Sequence, residues 1–393
     1  MNHPEREAGA EPARYVMIGG FLGAGKTTAI GKLARYLADR GKRVGLICND
    51  QSEGLVDTAI LRTTGLPVQE ITGGCFCCRF GSLVEAADSL SREAAPDVFL
   101  AEPVGSCTDL VATVSYPLRR IYGDRFTVAP LSVLVDPRRA ARVLGIDTSR
   151  SFSEKVLYVY RKQLEEADVL VVNKCDSIDP ELRDAIVEGL RREYPAAEVR
   201  TVSAKEGGAD LEAWFEAIRG SELHARDLLE IDYDEYAEGE ALLGWLNLTV
   251  RVTSNEPFDA NRALVELAAD VRSKLDAEGA ETAHLKMTLD SGDGSGSLSV
   301  VSLVDNRQEP DLRESLLDRV AGGELVINLR AEADPEFLRA AVESALSSLE
   351  ESSAEGLRTT VEHLERLRPG RPVPTHRMAA TAAGPDATQS ENP

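Results

Sequence analysis

A mainly parallel α/β domain followed by a smaller α+β domain is the fold class this sequence predicts. Three observations carry it. Short β-branched runs alternate with helical stretches from Tyr15 to about Glu222, a glycine-rich loop follows the first strand, and the patterning turns hairpin-like beyond Leu243. A chain of 393 residues has room for two such domains plus tails.

Arg14 to Ile18, Arg43 to Cys48, Val98 to Glu102, Leu131 to Val135 and Val169 to Asn173 read as strands, with a sixth at Glu198 to Val202 ahead of a helix from Asp210 to Ile218. The unbroken apolar run of Val169 to Val172 suits a parallel strand buried on both faces. These elements define a first domain over residues 14–220. Residues 221–240 hold eight acids and one arginine with little apolar periodicity, so 221–242 reads as an acidic linker. In the second domain, 243–350, Trp245 to Val252 alternates as a strand and Asp259 to Leu275 is spaced as a helix. His284 to Leu289 and Leu298 to Val304 flank SGDGSGS as a hairpin, and a helix, the strand Leu325 to Leu329 and another helix follow. This βαββαβ order predicts a ferredoxin-like sandwich. Leu357, Val361, Leu364 and Leu367 recur at helical spacing, which predicts a C-terminal helix over 351–369 stopped by Pro369-Gly370. Residues 1–13 and 370–393 lack periodic apolar positions and are expected to be disordered.

The 44 Lys and Arg residues stand against 66 Asp and Glu, a net charge of -22 that repels a nucleic-acid backbone or an anionic membrane. No apolar run approaches the roughly 18 residues of a membrane helix, and the polar N-terminal segment has no signal-peptide centre. A cytoplasmic protein is expected. All six cysteines fall within the first 175 residues, and clustered thiols in a reducing compartment point to metal or redox chemistry.

The segment Gly20-Phe21-Leu22-Gly23-Ala24-Gly25-Lys26-Thr27 matches G-x-x-x-x-G-K-T between a strand and a helix, so the first domain reads as a P-loop NTPase. Its glycines let backbone N–H groups turn toward phosphate, Lys26 reaches the β- and γ-phosphates, Thr27 ligates Mg²⁺, and Thr28 closes the motif. Asn173-Lys174-Cys175-Asp176 ends a buried strand, and a carboxylate there accepts the two N–H donors of guanine that adenine lacks. Ser203-Ala204-Lys205, at the end of the next strand, has the form that supports guanine O6. Glu102 with Gly105 gives E-x-x-G, a carboxylate for the Mg²⁺ water shell and an N–H for the γ-phosphate. Cys75, Cys77 and Cys78 follow Gly73-Gly74 in a turn, and three thiols in four residues favour a site for Zn²⁺, Cu(I) or a related soft to borderline ion.

Together with Ile47 to Asp57 (ICNDQSEGLVD) and Gln163 to Asp168 (QLEEAD), these motifs closely resemble CobW-type P-loop GTPases, relatives of the nickel-insertion GTPases, over residues 14–220. The resemblance implies a GTP-hydrolysing metallochaperone that uses GTP and Mg²⁺ and delivers Zn²⁺ or Co²⁺ to a metalloprotein or to cobalamin-related metabolism. It also implies Lys26 and Glu102 in catalysis, with Asp50 or Glu53 orienting the attacking water. The family's metal-ligating Glu is replaced by Cys48, so the implied ligand set is Cys48, Cys77 and Cys78, with Cys75 a fourth and Cys107 near enough to join. The family's His-rich acceptor stretch has no counterpart among the five scattered histidines. The competing expectation is a GTP-dependent conformational chaperone on a corrinoid- or metal-dependent methyltransferase, its metal site structural. A homodimer across the switch face is compatible with both.

Overall fold

Asp-Pro pairs set several helix starts. At Asp136-Pro137, Asp179-Pro180 and Asp334-Pro335 the aspartate side chain accepts a first-turn N–H and proline takes the next position. The computed structural model describes residues 11–49, 56–223, 228–294 and 296–379.

The first domain contains strands β1 (Ala13–Gly20), β2 (Val44–Asn49), β3 (Val68–Ile71), β4 (Val98–Glu102), β5 (Phe126–Val128), β6 (Ser132–Val135), β7 (Val169–Val172) and β8 (Glu198–Thr201). Its helices are α1 (Lys26–Ala38), α2 (Val56–Arg62), α3 (Phe80–Ala94), α4 (Tyr116–Ile121), α5 (Pro137–Val143), α6 (Glu154–Glu165), α7 (Pro180–Glu193) and α8 (Ala209–Gly220). The strands pair in parallel in the order β3-β2-β4-β1-β6-β7-β8, with β5 also beside β1. The winding direction reverses at β1, so the crevice beyond its carboxyl end is the natural ligand site of such a sheet. The six expected strands are all present; β3 and β5 are additions of only four and three residues.

Within the expected linker, α9 (Tyr233–Leu242) forms a helix with Tyr236 and Glu240 buried. Its Gly239 lies directly on the Lys155 backbone of α6, so this part is docked rather than solvated. The second domain follows as β9 (Leu243–Phe258), α10 (Ala260–Glu278), β10 (Glu281–Asp290), β11 (Leu298–Leu303), β12 (Asp311–Glu314), β13 (Val320–Glu332), α11 (Pro335–Ser352) and β14 (Arg358–Leu367). They form one antiparallel sheet in the order β12-β11-β10-β13-β9-β14, its core closed by α10 and α11.

Two expectations for this half are corrected. The helix expected between β11 and β13 is absent, and the short strand β12 occupies the interval. The C-terminal helix over 351–369 is instead the end of α11 followed by edge strand β14 against β9. Its register shifts between Val361 and His363, so Val361 faces Val250 and Leu364 faces Leu248. One extra residue in a strand turns a two-residue period into a three-residue step, which imitates helical spacing. No helix among the described residues is long and apolar enough to cross a membrane.

The domains share a core, with Leu243, Trp245 and Ala283 of the second half clustering with the first. Arg139 on α5 is fully buried at the junction and donates to the carbonyls of Leu22 (2.6 Å), Ala283 (3.2 Å) and Val304 (3.0 Å). Arg139→Met leaves those buried acceptors unmatched and is expected to lower unfolding stability by about 3 kcal/mol, read from urea denaturation.

Candidate functional site

The phosphate loop sits where β1 gives way to α1. Gly25 has φ 95°, and a Cβ there would fall 2.5 Å from Asn173 Nδ2, so both the backbone and the space require glycine. Helix α1 has no side-chain cap, which leaves its first N–H groups directed at the crevice. Lys26 and Thr27 are buried there. Thr27 Oγ1 lies 2.7 Å from Asp57 Oδ1 and 3.0 Å from Glu102 Oε1, so two carboxylates converge on one hydroxyl. Burial first, and the Asp57 charge second, push Glu102 up to about 7. Burial opposes ionisation of Asp57 too, but Lys286 and the Thr27 hydroxyl hold it well below the usual carboxylate range. Glu102 Oε2 is buried without a hydrogen-bond partner among the described residues. An oxygen-rich pocket with an unmatched carboxylate oxygen fits a hydrated Mg²⁺. Gly105 comes so close to the loop that a Cβ would lie 3.0 Å from the Leu22 nitrogen.

At the other end, Asn173 ties three segments together. Its Nδ2 donates to Ala24 O at 2.9 Å, and its Oδ1 accepts from Ala204 N at 2.9 Å. Lys174 donates to Gly23 O (2.7 Å) and to Asp136 Oδ2 (2.8 Å). Asp176 is exposed and accepts from Ser203 Oγ at 2.6 Å, beside a cavity of about 140 Å³ also lined by Lys174 and Lys205. The larger cavity, about 350 Å³, runs from this end over Gly23, Gly25, Lys26, Thr27 and Thr28 to Glu102 and Gly105. Asp50 and Glu53, the candidates for orienting water, lie outside the described residues, as do residues 1–10 and 380–393 of the expected disordered ends.

Sequence reasoning missed the roof of this cavity. Trp245, His284, Lys286, Arg313 and Arg330 all come from the second domain. Lys286 Nζ pairs with Asp57 Oδ1, and Asn328 Oδ1 accepts from Val56 N at 3.1 Å, so β10 and β13 hold the start of α2. Asp57 stood inside the ICNDQSEGLVD motif, but nothing local marks Lys286, whose partner is 229 residues away.

The cysteines assemble next to the nucleotide cavity. Asn49, which lines that cavity, donates from Nδ2 to Ile71 O (3.0 Å) and to Gly74 O (2.8 Å), directly before Cys75. Sγ separations are 2.8 Å for Cys75 and Cys77, 3.3 Å for Cys75 and Cys78, and 3.7 Å for Cys77 and Cys78. Tetrahedral zinc with bonds of about 2.3 Å spaces its sulfurs about 3.8 Å apart, so small side-chain shifts suffice. Cys107 joins through a hydrogen bond to Cys75. Contacts from Cys107, Cys77 and Cys78 hold the Cys75 thiol well below its usual range; the same contacts push Cys107 and Cys77 upward and Cys78 up to about 11. A set of thiols hydrogen-bonded to one another in this way is the protonated counterpart of a soft-metal site.

Cys48 corrects the implied ligand set. On β2 it packs with Leu46 in the core beneath α1, whereas Cys75, Cys77 and Cys107 belong to the core on the other face. Successive strand residues point to opposite faces, so Cys48 is turned away from the face on which Ile47 and the thiol cluster lie. Cys107 reaches the cluster because Gln163 donates to both Gly105 O (2.9 Å) and Cys107 O (2.8 Å), pinning the loop that leaves Glu102.

Residues 371–379, expected to be disordered, lie across the cluster. Val373 N donates to Cys78 Sγ (3.3 Å), Thr375 N to Cys77 O (2.8 Å), and Arg377 Nε to Asp109 Oδ2 (2.7 Å).

Residues 14–200 match the family model of the CobW/HypB/UreG nucleotide-binding domain. The chain carries a CobW-type domain. Similar proteins include the zinc chaperone YeiR of Escherichia coli, 31% identical over 44% of this chain and 50% of that protein, and the zinc chaperone CobW of a Sinorhizobium species, 32% identical over 42% and 51%. The chain thus spans about half the length of these relatives. Among solved structures, zinc-bound YjiA GTPase from E. coli aligns with TM-score 0.38 and 18% identity, covering 86% of this chain and 99% of that one. In the CobW-type domain the thiol group and the phosphate loop are joined by Asn49 and by the segment from Glu102 to Cys107. Removing residues 371–393 is expected to make Cys77 and Cys78 react about tenfold faster with a thiol reagent under native conditions, followed by mass spectrometry.

Proposed function

We propose that this protein is a GTP-hydrolysing metallochaperone whose cargo is Zn²⁺, carried by Cys75, Cys77 and Cys78 and delivered to a client metalloprotein. The observation that carries the reading is the double connection between the two sites: Asn49 grips Gly74 ahead of the thiols, and the backbone from Glu102 to Cys107 leaves the phosphates and arrives at sulfur. A change at the γ-phosphate therefore has a short mechanical route to the metal ligands. The relatives named zinc chaperones, and the zinc-regulated GTPase metalloprotein activator 1 of Dictyostelium discoideum, 25% identical over 48% of this chain and 45% of that protein, support the same assignment. An all-sulfur donor set favours Zn²⁺ over Co²⁺.

In this reading Lys26 and the α1 N–H groups hold the β- and γ-phosphates, and Gly105 N–H meets the γ-phosphate. Thr27, Asp57 and Glu102 would hold Mg²⁺, which when bound supplies charge neutralisation for the leaving phosphate. Asp50 or Glu53 orients the attacking water. Asp176 takes the guanine N–H edge while Asn173 and Lys174 keep the phosphate loop in register with it. Asp176→Asn exchanges an acceptor for a donor and is expected to weaken GTP binding about 100-fold while improving XTP, as a nucleotide titration would show.

One observation favours a second reading. Cys107 sets a fourth thiol against Cys75 beside the group of three, and four closed ligands characterise structural zinc. A conformational chaperone acting on a metal- or corrinoid-dependent enzyme would keep its zinc through turnover. Zinc affinity measured by chelator competition with a GTP analogue and with GDP separates the two. Delivery requires the two states to differ at least about tenfold; equal affinities would exclude it, because a ligand indifferent to state shifts no equilibrium.

A further inference from the structure

The second domain places a cation at the phosphate end of the cavity. Lys286 lies on β10, between Leu285 and Met287, both fully buried in the second core. Its strand is paired on both sides, with Ser302 of β11 and Asn328 of β13 opposite it, so the backbone is a rigid mount and the four-methylene stem supplies reach. Nζ meets Asp57 Oδ1, and that same carboxylate oxygen accepts from Thr27 of the phosphate loop. Lys286 thus stands where Thr27, Asp57 and Glu102 converge, the locus of the divalent ion. The other second-domain cations are differently committed. Arg330 stacks 3.2 Å over the Trp245 ring and bonds Asn247, and Arg313 pairs with Asp311 toward the base end.

A buried carboxylate, Glu102, and a half-buried one, Asp57, around one hydroxyl need positive charge in the nucleotide-free protein; Lys26 supplies it to Glu102 and the Lys286 ammonium to Asp57. A divalent ion arriving with a triphosphate takes over that duty and repels the ammonium at close range. The nearest anion then open to a side chain descending from the roof is the terminal phosphate.

We propose that Lys286 is a substrate-contacting residue supplied by the second domain, neutralising Asp57 without nucleotide and passing to the terminal phosphate when GTP and its divalent ion bind. GTP thereby gains a side-chain contact from the second domain, and loss of the γ-phosphate returns Lys286 to Asp57 at the start of α2. Its cross-strand neighbour Asn328 grips Val56 N, so both residues bear on the start of α2. The inference rests on the GTPase reading above and deepens it.

The test uses the full chain as wild type, K286M and K286R. Fluorescent GTP-analogue and GDP affinities are measured with Mg²⁺, and Mn²⁺ binding to the nucleotide-free protein is measured by electron paramagnetic resonance. K286M is expected to lose at least tenfold in the preference for the GTP analogue over GDP, and to bind Mn²⁺ alone at least tenfold more tightly, because the competing ammonium is gone. K286R, which keeps the charge, is expected to retain most of the nucleotide preference. The Mn²⁺ readout moves in the direction opposite to that of a damaged fold, and the double variant D57N/K286M, which removes both charges, guards against instability. Unchanged nucleotide preference and unchanged Mn²⁺ affinity in K286M overturn the proposal while leaving the GTPase reading intact. Failure of the wild type to bind GTP overturns that reading and this inference together.

Discussion

Two acids, Glu102 buried and Asp57 half-buried, sharing the Thr27 hydroxyl set the terms for the rest of the molecule. Asp57 comes from α2, Glu102 from the end of β4, and Thr27 from the first turn of α1, so three segments are held by one small polar contact. Such a contact is costly without a cation, since burial penalises each carboxylate and the Asp57 charge raises Glu102 further. The protein meets this cost from a distance, with a lysine from another domain. In a chain of net charge -22, the gathering of Lys26, Lys174, Lys205, Lys286, Arg313 and Arg330 around one cavity is the local reversal a nucleotide polyphosphate requires.

The thiol cluster depends on the same segments. Glu102 and Cys107 are five residues apart on a loop that Gln163 pins at two carbonyls. Asn49 performs the matching task on the other side, holding the turn that ends in Cys75. The cavity over the phosphate loop and the thiol cluster therefore share backbone rather than merely proximity. The strap formed by residues 371–379 closes the outer side, with N–H groups placed on Cys78 sulfur and the Cys77 carbonyl. An N–H directed at sulfur stabilises thiolate, which is the form a metal takes.

The second domain is more than an appendage. Arg139 and Trp245 weld it to the first core, and its sheet presents Lys286 and Arg330 to the cavity over the phosphate loop and Asn328 to the start of α2. The antiparallel sheet suits this task, because alternate residues of β10 and β13 enter its own core while the others face the first domain.

How much of this was legible along the chain follows from the range of each signal. The phosphate loop, Asn173 to Asp176, Ser203 to Lys205 and the Cys75 to Cys78 turn carry their chemistry in contiguous residues, and six strands of the parallel sheet announced themselves as apolar runs. The β14 segment was misread because a bulge at Glu362 copies helical spacing, and strand pairing is a property of the partner strand β9. Cys48 and Cys107 show the same limit at the site. The resemblance favoured Cys48, which stands where the family has a metal-ligating Glu, but the alternation of β2 turns it toward α1 while the loop after β4 brings Cys107 to Cys75. Sequence by itself determined the local cradles and their ligand chemistry. Only the tertiary structure decided which distant charges and sulfurs complete them, because a side chain's direction and its long-range partner are set by packing, which no stretch of neighbouring residues encodes.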